Sequence, residues 1–124
     1  MLRIARILKK LDDNLDLNLN LILREGTHRE FPRMRDLAYT FRDENKYYIV
    51  VSPKMVNHST ERIEGVLLHE LAHLYLLSQG YDNHSEVEAD EVVRDDWGYT
   101  LNYDRQDIQT TGTGSPTRPS YLHQ

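Results

Sequence analysis

The chain has 124 residues, 39% hydrophobic and 28% charged, the balance of a soluble protein with one modest core. Its net charge of −5 argues against a main role in gripping nucleic acid, which requires a basic face. There is no cysteine, which excludes disulfides, thiolate metal sites and cysteine nucleophiles, and a reducing cytoplasmic setting is expected.

Residues 2 to 12 place Ile4, Ile7, Leu8 and Leu11 on one helical face, with Arg3, Arg6 and Lys10 opposite. The spacing predicts a short amphipathic helix whose basic face is solvated. Charge interrupts this segment every third or fourth position, so it has no apolar run of the kind that directs export. No stretch approaches the roughly 18 apolar residues of a membrane span. The protein is therefore expected to be soluble and unexported, with no membrane partner. Leu15, Leu17, Leu19, Leu21 and Leu23 then alternate with other residues, the period of a half-buried strand. A second strand is expected over 37 to 42 and a third over 47 to 52. The turn between them, Asp43-Glu44-Asn45-Lys46, is short enough to make a hairpin.

From Ser59 or Thr60 a long helix is predicted to Gly80, with a hydroxyl cap and acidic residues in its first turns. Its apolar residues lie on several faces, so it should run through the middle of the domain. A last helix is expected from Ser85 to Trp97. Residues 1 to 103 read as one domain. Residues 104 to 124, polar and poor in aliphatics, read as a flexible tail.

Within the long helix stands His69-Glu70-Leu71-Ala72-His73. Histidines at i and i+4 lie one above the other, so both can hold one tetrahedral metal. Glu70, about 100° around the helix, is offset from the ligand direction and is placed to act as a base toward a metal-activated water. Chance alone puts this pattern into roughly 2% of chains of such composition, so the five residues are not decisive. Their setting adds weight, because His and Glu are costly to bury in an apolar helix without partners.

A third protein ligand is required, with a fourth position left to water. Glu86 is the first choice, since it shares an inward stripe on the last helix with Asp90, Val93 and Trp97; His84, in the loop before that helix, is the alternative. Asp90 is placed to accept the free ring N–H of a ligand histidine. Glu88 points away from the stripe and is expected in solvent, and His28, His58 and His123 have no ligand spacing.

These residues resemble the compact gluzincin metallopeptidases, whose signature is His-Glu-x-x-His on one helix and Glu-x-x-Ala-Asp on the next. Here the match is His69-Glu70-Leu71-Ala72-His73 with Glu86-Val87-Glu88-Ala89-Asp90, and it extends over about residues 46 to 99. The resemblance implies an α+β, zincin-like fold with an N-terminal helix, a small three-stranded sheet, a buried metal-binding helix and a ligand helix. It also implies Zn2+ held by His69, His73 and Glu86, support from Asp90, and hydrolysis of a peptide or protein substrate with Glu70 as general base. The strand before the active helix, residues 47 to 52, is expected to receive substrate by edge pairing. The family's oxyanion-stabilising side chain has no motif here; Tyr99 and Tyr103 are the candidates. The alternative function is a non-catalytic zinc-binding module on the same scaffold.

Overall fold

The computed structural model describes residues 1 to 100, so the expected domain end at 103 and the tail from 104 lie outside the described residues. Among the described residues the fold is α+β, with three α-helices and one three-stranded sheet. Helix α1 (Leu2–Leu15) buries Ile4, Leu8 and Leu11, three of the four residues whose spacing predicted it. It runs one turn further than expected and stops at Asp16, whose left-handed backbone (φ 51°) returns its N–H to the Asp12 carbonyl at 2.8 Å.

The alternating leucines do not form the long strand expected of them. Asp16 (φ 51°) and Asn18 (φ 59°) are both left-handed, a conformation that Asp and Asn tolerate but that a ladder does not admit. Strand β1 therefore spans only Leu21–Glu25. The period still describes burial, because Leu15, Leu17, Leu19, Leu21 and Leu23 all pack against the core.

Strands β2 (Ala38–Asp43) and β3 (Lys46–Val51) form the expected hairpin, turning through Glu44 (φ 58°) and Asn45. The sheet order is β1-β3-β2, with β1 parallel and β2 antiparallel to β3. This corrects the expected role of the third strand. β3 is central and both its sides are paired, so a peptide cannot add to it; β2 is the edge beside the long helix. The Ser52 N–H donates to the Leu37 carbonyl at 2.8 Å, and antiparallel pairs alternate in phase with that bond. Tyr39↔Val50 and Phe41↔Tyr48 thus exchange hydrogen bonds, and the main-chain groups of Ala38, Thr40 and Arg42 face away from β3.

A 3-10 turn (Pro53–Asn57) leads into α2 (Thr60–Ser78), capped by Ser59, whose hydroxyl accepts the Arg62 N–H at 3.2 Å. Arg3 donates to the Val56 and His58 carbonyls at 3.2 Å and to the Thr60 hydroxyl at 2.8 Å. Part of the basic face expected in solvent therefore latches α1 to the start of α2. Helix α2 is buried on nearly all sides from Ile63 to Leu76 and lies against both α1 and β2. It ends at Gly80 (φ 90°), beyond which the Tyr81 N–H donates back to the Leu76 carbonyl at 3.0 Å. The chain reverses in a short loop and enters α3 (Glu86–Glu91), so α3 and the loop before it fall against the middle of α2. A π-helical turn (Val92–Asp96) follows where a continuous helix was expected, and the Trp97 N–H reaches the Val92 carbonyl at 2.9 Å. Among the described residues, no helix is long and apolar enough to cross a membrane.

Candidate metal centre

His69 and His73 stand one turn apart on α2 and are almost wholly buried, 0% and 1% exposed. Their Nε2 atoms lie 2.9 Å apart. The reversal into α3 brings the first residue of that helix to the same point: Glu86 Oε2 is 2.5 Å from His69 Nε2 and 3.0 Å from His73 Nε2. His69, Glu70 and His73 form a buried cluster that could hold a metal ion, with potential ligand atoms within 4.8 Å of one another. Two carboxylates thus compete for the third position. Glu86 is the better placed, since it touches both histidine nitrogens. Glu70 is fully buried, and neither of its oxygens has a hydrogen-bond partner among the described residues.

The outer ring nitrogens are engaged elsewhere. His69 Nδ1 lies 3.0 Å from Asp90 Oδ1, and a carboxylate accepts, so His69 carries a hydrogen on Nδ1. His73 Nδ1 lies 2.5 Å from His84 Nε2, and His84 Nδ1 donates to the Tyr81 carbonyl at 2.7 Å. Both Nε2 atoms are thus turned to the point where Glu86 Oε2 arrives. Two imidazole nitrogens and one carboxylate oxygen converging on one point are a donor set of the kind suited to a borderline divalent cation.

The convergence also favours a proton between His69 Nε2 and Glu86 Oε2. Burial lowers the pKa of His69, but hydrogen bonds to Asp90 and Glu86 and the charges of Glu70 and Glu86 raise it to about 9. For His73 burial prevails over the nearby Glu86 carboxylate and, with the neighbouring histidines, brings it down to about 4. Glu86 is held below the usual carboxylate range, the two histidines outweighing its desolvation. Glu70 moves the opposite way: burial, reinforced by Glu86 and opposed by His69, raises it to about 8.

Metal binding must therefore expel protons. At pH 7 a cation displaces the proton on His69 and favours ionised Glu70, so more than one proton is expected to leave per metal. Release should shrink as pH rises through about 8 and vanish above about 9, where both groups are already deprotonated. Calorimetric titration in buffers of different ionisation enthalpy measures this directly.

The structure brings together five residues singled out in the sequence, His69, Glu70, His73, Glu86 and Asp90. His84 does not stand at the point of convergence; it lies behind His73, against the other ring nitrogen. Glu88 is not in solvent as expected but 2% exposed, because it closes a capping box with Ser85: the Glu88 N–H donates to the Ser85 hydroxyl at 3.1 Å and the Ser85 N–H to Glu88 Oε1 at 3.3 Å. The Ser-x-x-Glu spacing at the start of the helix is the signal that identifies it. The Tyr99 ring packs against the core, and Tyr103 lies outside the described residues. His28 is exposed and His58 half-buried, both away from the cluster, and His123 lies outside the described residues.

A cavity of about 360 Å³ opens beside His73, bounded by Thr40, Phe41 and Arg42 of β2 and by Leu77, Asp82 and His84. The outward-facing backbone of Thr40 and Arg42 thus borders a space whose wall includes a histidine of the cluster.

No protein-family model, curated protein or solved structure matches the chain.

Proposed function

We propose that the chain is a zinc-dependent peptidase of the zincin type, with His69, His73 and Glu86 holding the ion and Glu70 serving as general base. Zinc is preferred because two imidazoles and one carboxylate, with a position left open, suit its tetrahedral catalytic sites. When bound there, zinc would supply Lewis acidity, lowering the pKa of water and polarising the scissile carbonyl.

The observation that carries this reading is Glu70. A fully buried carboxyl with no hydrogen-bond partner among the described residues is destabilising, and a site that only stored metal would need ligands but not this group. Burial raises its carboxyl to about 8 in the metal-free protein, so the group can hold a proton near neutrality. In the proposed reaction Glu70 takes a proton from the attacking water and delivers it to the leaving amine, which balances the hydrolysis. Asp90 holds the His69 ring by its Nδ1–H throughout.

The edge of β2 suits an extended peptide, which would add as a further strand through the main-chain groups of Ala38, Thr40 and Arg42. One of its side chains would enter the cavity beside His73, where Phe41 and Leu77 offer apolar contact and Arg42 and Asp82 offer charge of both signs.

Cleavage of a mixed peptide library by the purified chain tests the assignment. Activity is expected with zinc, lost on chelation, restored by zinc, and absent in Glu86→Ala. Cleavage that survives chelation, or that Glu86→Ala retains in full, contradicts it.

A further inference from the structure

We infer that His84 is a positioning residue for His73, fixing its ring so that Nε2 rather than Nδ1 is offered to a metal; this rests on the metal centre proposed above. A carbonyl oxygen only accepts, so the 2.7 Å contact from Tyr81 O to His84 Nδ1 requires a hydrogen on that nitrogen. A neutral imidazole with Nδ1–H has its lone pair on Nε2. That atom lies 2.5 Å from His73 Nδ1, which must therefore be the donor. His73 Nδ1–H leaves the lone pair on Nε2, the atom 3.0 Å from Glu86 Oε2 and 2.9 Å from His69 Nε2. The orientation of a metal ligand is thus set through two imidazoles from one main-chain oxygen.

The local fold makes this arrangement rigid. Tyr81 follows the Gly80 stop of α2, and its own N–H is tied to the Leu76 carbonyl at 3.0 Å, which anchors the residue at the end of that helix. Ser85, the residue after His84, is locked by its capping box with Glu88. His84 itself is 0% exposed, and its ring centroid lies 4.7 Å from that of His73 at an interplanar angle of 34°. Both histidines of the cluster thereby receive an outer partner of different chemistry, the Asp90 carboxylate for His69 and a neutral imidazole for His73. The carboxylate draws positive character onto His69. The imidazole orients His73 without placing a further charge at its outer nitrogen.

Long-range 1H–15N NMR on the full chain without metal reads the tautomers directly. The expected spectrum has Nδ1 protonated and Nε2 unprotonated in both His73 and His84; a hydrogen on His73 Nε2 overturns the inference whether or not metal binds. Zinc affinity, measured by competition with a chelator, supplies the second readout. His84→Leu, which removes the acceptor, should weaken zinc by about 10- to 100-fold. His84→Gln, whose side-chain carbonyl can reach the same hydrogen, should recover most of the loss. In protein loaded with 113Cd, scalar coupling should reach the His69 and His73 Nε2 atoms and not His84. Coupling to His84 would make it a ligand and overturn the positioning role. Equal zinc affinity for wild type and His84→Leu overturns the role while leaving the metal centre intact. A wild-type chain that binds no divalent metal removes the centre itself, and the positioning role with it.

Discussion

Glu70→Gln is expected to leave metal affinity within a few-fold of wild type while lowering peptide hydrolysis by about 10²- to 10⁴-fold, the usual contribution of a general base. The two effects separate because Glu70 does not touch the converging ligand atoms: Glu86 Oε2, not Glu70, lies within 3.0 Å of both histidine nitrogens. The amide keeps the shape of the side chain and loses its ability to take a proton. Parallel measurement of zinc stoichiometry and kcat/KM checks the split. Loss of metal together with activity would make Glu70 a ligand, and undiminished hydrolysis would remove it from the chemistry. Position 70 should also reveal a conflict between stability and function. Glu70→Leu removes a buried carboxyl with no hydrogen-bond partner among the described residues and should stabilise the metal-free protein by about 1–3 kcal/mol, measured by denaturant unfolding.

The second large effect is thermal. A metal present at a hundred times its Kd stabilises the folded state by about 2.7 kcal/mol, and a domain of this size shifts by about 4–8 °C per kcal/mol. Zinc is therefore expected to raise Tm by about 10–20 °C at pH 7, measured by scanning calorimetry with and without chelator. The pH dependence has a definite sign. The folded-state pKa of His69 is raised from 6.5 to about 9, so its stabilisation of the metal-free protein is complete below 6.5 and disappears as pH rises through 9. Glu70, raised from 4.5 to about 8, favours its protonated form in the fold, so stability falls across that window as well. His73, lowered from 6.5 to about 4, acts in the opposite direction, but only between those values. Above pH 6.5 the metal-free Tm should fall, whereas the metal competes better as protons leave. The gap between the two Tm values must widen toward pH 9; a gap that narrows contradicts the cluster as the binding site.

Much of this site is legible in the sequence because a helix converts spacing into direction. His69 and His73 at i, i+4 can only share a face, and Glu86 and Asp90, one turn apart on the next helix, do the same. A short loop beginning at Gly80 leaves those two faces little choice but to meet. Other features depend on hydrogen bonds whose partners spacing does not identify. The Leu15 to Leu23 alternation correctly describes a buried side but not a ladder, because left-handed backbone at Asp16 and Asn18 is invisible to hydrophobic period. The third strand is central rather than an edge because β1 pairs parallel to it across some twenty intervening residues, a long-range choice that local pattern does not encode. His84 attracts attention as a metal-binding residue type near the site, yet its position behind His73 follows from the Tyr81 carbonyl, set by how α2 ends. Glu88 shows the opposite lesson: helical-wheel reasoning sends it to solvent, whereas the Ser85-x-x-Glu88 spacing already marks a capping box.

The most direct test of the metal centre is anomalous scattering at the zinc edge from crystals of the chain grown with zinc. One strong peak is expected at about 2.0–2.2 Å from His69 Nε2, His73 Nε2 and a Glu86 oxygen, with Glu70 outside ligand distance. No peak at that point, or a peak bound by Glu70 or His84 in place of Glu86, would contradict it.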